Sequence, residues 1–150
     1  LAQYIIDMQK VLMEANRVLK KNKHLIIVVA DTKIENETIY SDRLFTELCE
    51  ILNFEPICVY KRKIPKYRKY INSSLGKIDE ENIIIFKKVS EYSNKYMYND
   101  AIWNNFAIKK LMEIEARIIS NEELDRKEKK KKIEKINQAI THLMLDLRSL

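Results

Sequence analysis

Hydrophobic positions divide the N-terminal part of the chain into alternating helical and extended segments. Between residues 4 and 19 the apolar side chains recur every three or four positions, which predicts an amphipathic helix. Segments 25–30, 57–60 and 82–87 are rich in β-branched residues and predict strands. The first run is continuously apolar, which is typical of a strand covered on both faces. Ser41 is predicted to cap a helix between the first two strands.

Polar stretches mark the loops and the domain boundary. Residues 31–37 and 66–80 predict loops within an α/β unit that closes on a hairpin, and residues 90–100 predict a linker after it. We therefore predict two domains, an α/β domain over residues 1–89 and a helical extension over residues 90–150.

The helical extension shows two amphipathic segments, 101–119 and 121–149. Ser120 with Glu123 fits a capping box at the start of the second helix. The two helices are predicted to form an antiparallel hairpin, and their spacing also permits self-association with another chain through a coiled coil. Two aromatic side chains are interpreted as core between these helices: Trp103 and Phe106.

Composition narrows the class of protein. With 46% hydrophobic and 33% charged residues, the chain predicts a globular protein with one core and room for an appendage, and no apolar run is long enough for a membrane span. We expect a cytoplasmic protein. Cys49 and Cys58 lie far from either histidine and predict reduced thiols, without a zinc site or a disulfide. Gly76 is the only glycine, which excludes a glycine-rich dinucleotide or phosphate loop.

A series of short motifs carries a family resemblance over about residues 5–88. The segment Glu-Ala-Asn-Arg-Val-Leu-Lys leads into the first strand, which Asp31 closes, and an Asn-Phe-Glu turn precedes the second strand. An Arg-Lys-Ile-Pro segment, a Gly-Lys-Ile turn and the strand Asn-Ile-Ile-Ile-Phe-Lys follow. In this order the motifs resemble the class I S-adenosylmethionine-dependent methyltransferases, in particular the DNA N-4 cytosine and N-6 adenine methyltransferases.

The resemblance implies a fold and an activity. The fold would be the C-terminal half of a Rossmann-like methyltransferase sheet, with 25–30, 82–87 and 57–60 as strands five, seven and six, followed by the α-helical hairpin. The whole protein would be a site-specific DNA methyltransferase, which transfers a methyl group from S-adenosylmethionine to an exocyclic amine of adenine or cytosine. A restriction-modification or related system is the expected setting.

Three departures limit what this chain is expected to do by itself. Lys21-Asn22-Lys23 stands where the family usually has Pro-Gly-Gly, and Pro56 and Pro65 are too far apart for the family's catalytic Pro-Pro-Tyr/Phe tetrapeptide. The cofactor loop is missing too, and the chain begins inside an apparent helix without an initiator Met. We expect a C-terminal part without catalytic or cofactor-binding residues, whose strand 25–30 pairs with a missing catalytic half or a partner subunit.

A basic segment with interleaved tyrosines is the candidate DNA contact. Lys and Arg neutralise phosphates, and tyrosine stacks on bases or bonds phosphate oxygens. The candidate nucleic-acid-binding residues are Arg62, Lys63, Lys66, Tyr67, Arg68, Lys69 and Lys77. The lysine run 127–132 is interpreted as a solvated helix face, with DNA contact as the alternative. Asp31 is either a residue of the substrate side or a loop cap.

Two other functions stay open at this point. A degenerate methyltransferase half could serve as a non-enzymatic nucleic-acid-binding or assembly module. The methyltransferase could also act on RNA or a small molecule, because this part of the fold does not fix the substrate.

Overall fold

The computed structural model describes residues 2–34, 37–65, 79–91 and 100–148. The chain forms two compact units, one of residues 11–93 and one of residues 1–10 with 94–150. The predicted domain boundary after residue 89 stays a prediction. The elements in chain order are α1 (Ala2–Val18), β1 (His24–Val29), β2 (Thr32–Ile34), β3 (Glu37–Ile39), α2 (Ser41–Ile51), β4 (Phe54–Lys63), β5 (Glu80–Lys88), α3 (Asp100–Ser120) and α4 (Arg126–Arg148).

A three-stranded sheet forms the centre of the unit of residues 11–93. Its spatial order is β1-β5-β4, and β5 is antiparallel to both neighbours. The prediction that the three apolar segments share one sheet, with the last pair antiparallel, is confirmed. β4 begins at Phe54, three residues before the predicted start, and a register shift lies between Pro56 and Cys58. The architecture is mixed α/β, as predicted.

One face of this sheet is covered and the other is open among the described residues. Asn82, Ile84, Phe86 and Lys88 alternate along β5 and are buried. α2 packs against β4 and β5, and its Leu44, Phe45 and Leu48, with the following Leu52, have at most 4% exposure.

The prediction that β1 is covered on both faces is wrong for the described part of the chain. Ile26 and Val28 are 59% and 49% exposed, on the face opposite the helices. They lie across from Ile85 and Ile83 of β5. A continuous apolar run therefore indicates that both faces of β1 can be buried. It does not indicate which part of the chain, or which other molecule, would cover the second face.

The turn between α1 and β1 has asparagine, rather than glycine, at its left-handed position. Asn22 has a φ of 65°, in the left-handed region that glycine or asparagine adopts most readily. Its N–H donates to the carbonyl of Lys88 at 2.9 Å, and the N–H of Lys88 donates to the carbonyl of Lys23. This local exchange ties the turn to the end of β5.

Two predictions about residues 31–41 are wrong. The polar stretch 31–37, predicted as a loop, contains β2 and the first residue of β3, and these two strands pair antiparallel with Thr32 opposite Ile39. Ser41 is the first residue of α2 rather than its cap, and the cap residue Tyr40 makes no side-chain capping bond. Instead the N–H of Ser41 donates to the carboxylate of Asp31 at 2.9 Å, so the helix start is satisfied from a distant position.

The second unit is built on α3 and α4, which pack against each other. Trp103 and Phe106 are buried, which confirms their interpretation as core. The capping box at Ser120 is wrong because α3 continues through Ser120, whose hydroxyl donates to the carbonyl of Arg117. Asp125 caps α4, and its carboxylate accepts from the N–H groups of Lys127 and Glu128 at 2.7 and 2.9 Å.

Candidate nucleic-acid interface

The basic end of β4 carries the described part of the candidate interface. Arg62 and Lys63 are exposed residues of this strand, followed by Pro65, whose missing N–H suits the end of a ladder. β4 pairs with β5 on one side and has no strand on its other side among the described residues. The remaining candidates fall outside the described residues: Lys66, Tyr67, Arg68, Lys69 and Lys77.

Arg62 is held by an acidic partner across the sheet. Its guanidinium forms an ion pair with Glu81, the residue directly opposite in the ladder. The side chain of Glu81 is only 20% exposed, whereas that of Arg62 is 55% exposed. A fork-shaped guanidinium bound to a carboxylate has part of its donor set already used. Arg62 therefore acts in part as a structural cation that joins β4 to β5.

Lys61 and Lys63 point away from Arg62. Successive side chains of a strand alternate between its two faces, so these lysines share the face opposite to that of Arg62. In the register Lys61 lies opposite Asn82 and Lys63 lies opposite Glu80. Lys61 is thus the cation whose facing residue has no charge. Lys61 is not among the candidates named from the sequence, in which adjacent cations look alike. Only the register distinguishes it, because Glu81 lies opposite Arg62 and Asn82 lies opposite Lys61.

Tyr60 extends the interface on the other face of β4. Its side chain is 59% exposed. A hydrogen bond with the Cys58 side chain, and then the electrostatic interaction with the same group, raise the pKa of the Tyr60 phenol. An exposed phenol that remains protonated can donate to a phosphate oxygen or stack on a base. Tyr60 shares its face with Arg62 by alternation.

Asp31 joins three elements at the carboxyl end of β1. Besides the N–H of Ser41, its Oδ1 accepts from the side-chain amide of Asn82 at 3.2 Å. The hydroxyl of Ser41 donates to the carbonyl of Ala30 at 2.7 Å. These bonds favour the loop-cap interpretation of Asp31, because the carboxylate already fixes α2 and β5 to the strand end.

The described residues do not fit a nucleoside cofactor. Such a ligand needs an enclosed cavity with a few converging polar groups. It also needs glycines that let the backbone at the strand end come close to it. The strand end after β1 is instead closed by the bonds of Asp31. A groove of about 1040 Å³ follows α4, but it is open and lined by that helix, between Arg126 and Leu145. We assign no S-adenosylmethionine contact to these residues.

The remaining reactive groups do not form a second centre in the described residues. Cys49 and Cys58 are free, and desolvation, with a smaller contribution from Glu50, raises the pKa of Cys49 to about 12. No cluster of three or more His, Cys, Asp or Glu side chains that could hold a metal occurs in the part of the chain that the structure covers. None of the helices described is long and apolar enough to cross a membrane.

Comparison with known proteins gives one structural likeness. No protein-family model and no curated protein matches the chain. Two crystal structures of a provisionally assigned DNA modification methylase from Thermus thermophilus are similar to it at 18% identity, with TM-scores of 0.47 and 0.46. The first is a selenomethionine derivative and the second is a complex with S-adenosyl-L-methionine.

The likeness is partial in both directions. It covers 61% of this chain, and the chain spans 39% and 40% of the two compared structures.

Proposed function

We propose that this chain is part of a DNA methyltransferase that uses S-adenosylmethionine, and that it contributes DNA contacts rather than the transfer step. The acceptor would be an exocyclic amine of adenine or cytosine, in a cytoplasmic restriction-modification or related system. The observation that carries the proposal is the β1-β5-β4 sheet, whose central strand is antiparallel to both neighbours. This is the arrangement that the motif resemblance implies for strands five, seven and six.

The chemistry is assigned to residues outside this chain. The sequence has no Pro-Pro dipeptide, because its prolines are Pro56 and Pro65, and Gly76 is its single glycine. A flipped base needs a polar and aromatic pocket around its amine, and the cofactor needs a close backbone approach. Neither the sequence motifs nor the described geometry provides these features. The chain alone is therefore proposed to be inactive.

The DNA contact is proposed to run along the basic end of β4 and into the segment that follows it. Lys61 and Lys63 would neutralise backbone phosphates, and Tyr60 would lie beside them on the opposite face. Lys66, Tyr67, Arg68, Lys69 and Lys77 remain in the proposal on the strength of their sequence pattern. Such contacts fix the position of DNA without reading its sequence.

A second candidate function, an assembly module, is favoured by the open surfaces of the sheet. β1 pairs only with β5 among the described residues, and Ile26 and Val28 are exposed beside this free edge. A buried-type strand with a free edge invites pairing with another chain. A missing catalytic half or partner subunit would pair with β1. Self-association through segments 101–119 and 121–149 is a separate proposal, which rests on their three- and four-residue apolar spacing.

A DNA-binding measurement on the whole chain tests the proposed contact. The variant Lys61→Gln/Lys63→Gln removes two cations from β4, and Lys20→Gln/Lys21→Gln removes two exposed cations from a turn as a matched control. Fluorescence anisotropy of a labelled duplex would follow binding at several salt concentrations. We expect affinity to fall several-fold only in the β4 variant, with a smaller salt slope by about one unit per lost phosphate contact. Equal affinity of both variants would overturn the proposed contact.

A further inference from the structure

We propose that α4 carries a second nucleic-acid-binding surface, separate from the one on β4. We call it the α4 basic face, and it is formed by Arg126, Lys127, Lys130, Lys131 and Lys135. It belongs to the other compact unit of the chain, and it does not depend on the proposed methyltransferase function. Its ligand is a phosphate backbone, contacted without reading of the base sequence.

Helical geometry places these five cations on one side of α4. At about 100° per residue they fall within half of the helix circumference, and the span from Arg126 to Lys135 is about 14 Å along the axis. All five side chains are exposed. Glu134 falls on the same side and offsets one of the five charges. Residues 126–135 contain seven basic and two acidic side chains, a net charge of +5, in a chain whose total is +6.

Four of the five cations lack counterions within the described residues. The side chains of Arg126, Lys127, Lys130 and Lys131 form no ion pair in the part of the chain that the structure covers. The nearest acid before the helix, Asp125, is used to cap it. The charge of these four side chains is therefore available to an external polyanion.

The other side of α4 is already used by the fold. Ile136 and Leu143 are buried, and Lys129 turns away from the basic face to donate to the carbonyl of Ile119 at 2.9 Å. A helix that lies in a membrane surface needs a free apolar side below its charged side, and this side of α4 is occupied. This favours nucleic acid over a membrane.

The composition of the face also disfavours a protein partner. Its five side chains are all charged, whereas the strongest contacts of protein interfaces come from aromatic and apolar anchors that fill pockets. A surface of cations with no such anchor is suited to phosphates, each of which releases a counterion on binding. A phosphate backbone is thus the ligand class that matches the face best.

The experiment compares three variants of the full chain. The first changes Arg126, Lys127, Lys130, Lys131 and Lys135 to Gln, which keeps the helix propensity high. The second is a control with the same loss of charge at exposed positions elsewhere, with Gln at Lys10, Lys20, Lys21, Lys33 and Lys109. The third is Lys61→Gln/Lys63→Gln. Circular dichroism and thermal melting verify the fold, and anisotropy with a labelled duplex of arbitrary sequence measures affinity between about 50 and 200 mM salt.

We expect the α4 variant to lose about tenfold or more in affinity and about two to five units of salt slope, with less than about threefold loss in the control. Equal losses in these two variants would overturn the inference, because net charge alone would explain them. Binding to anionic lipid vesicles without binding to the duplex would overturn it as well. An unchanged affinity of the β4 variant, with a loss in the α4 variant, would reject the β4 contact and leave this inference standing.

Discussion

The buried ammonium of Lys88 donates to the carbonyl of Leu19 at 2.6 Å, across 69 residues of sequence. It also donates to the carbonyl of Asn16 and to the carboxylate of Glu91. The side chain of Asn16 in turn donates to the carbonyl of Leu52 at 2.8 Å. One fully buried cation thus satisfies carbonyls at the end of α1 from the last residue of β5, which fixes the helix relative to the covered sheet face.

Removal of that cation should destabilise the fold. In Lys88→Met the carbonyls of Asn16 and Leu19 would remain partly buried without this donor, at a cost of about 2 to 4 kcal/mol in the free energy of unfolding. Urea denaturation followed by circular dichroism measures the change. Lys87→Met, on the opposite face of the same strand, is the matched control and should change stability by less than about 1 kcal/mol. Similar losses in both variants would show that the bonds of Lys88 are unimportant.

The left-handed backbone at Asn22 predicts that valine and glycine substitutions there will change stability by different amounts. Because its φ is 65°, a β-branched residue is disfavoured there and glycine is tolerated. We expect Asn22→Val to reduce the free energy of unfolding by about 1 to 2 kcal/mol, and Asn22→Gly to change it by less than about 1 kcal/mol. Thermal melts of the two variants suffice. A Val variant as stable as the parent would contradict a left-handed turn at this position.

Replacing the buried Lys132 with an apolar residue should stabilise the fold. It is 8% exposed and its ammonium has no hydrogen-bond partner among the described residues. Desolvation of an unpaired cation is unfavourable, so Lys132→Met should raise stability by about 1 to 3 kcal/mol. The control substitution Lys131→Met, at the exposed neighbouring position, should have little effect on the midpoint of thermal unfolding. A lower midpoint for Lys132→Met would mean that the ammonium does have a stabilising partner.

Cys49 predicts a loss of stability in alkali. Burial raises its pKa from 9.0 to about 12, so between these values the unfolded thiol ionises while the folded thiol stays protonated. The unfolded state then binds fewer protons, and the free energy of unfolding falls as pH rises through this window, by at most about 1.4 kcal/mol per unit of pH. Below the lower value the contribution is fully present. Urea midpoints between about pH 8 and pH 11 should fall less steeply in Cys49→Ala than in the parent, and equal slopes would reject this linkage.

The sequence was sufficient for elements with strong periodicity. The β-branched segments became β1, β4 and β5, and the amphipathic segments became α1, α3 and α4, because local pattern and burial agree there. Helix starts were less predictable. Ser120 and Asp125 are both good caps in sequence, and the choice between them follows from how far α3 continues.

Long-range relationships explain the other differences. The exposure of Ile26 among the described residues depends on which elements lie over β1, and a strand pattern does not contain that information. Likewise, adjacent basic residues look equivalent until the register places Glu81 opposite Arg62 and Asn82 opposite Lys61. The candidate interface could therefore be located along the sequence, but the available cations could be separated from the paired one only with the sheet in hand.

The cofactor site of the proposed methyltransferase is expected to lie outside this chain. Titration calorimetry with S-adenosylmethionine, on the chain alone and on its mixture with the polypeptide encoded directly upstream, tests this expectation. We expect no heat of binding for the chain alone and saturable binding, with one cofactor per complex, for the mixture. Saturable binding by the chain alone would contradict a cofactor site outside it, and no binding in the mixture would make the assembly module the better explanation.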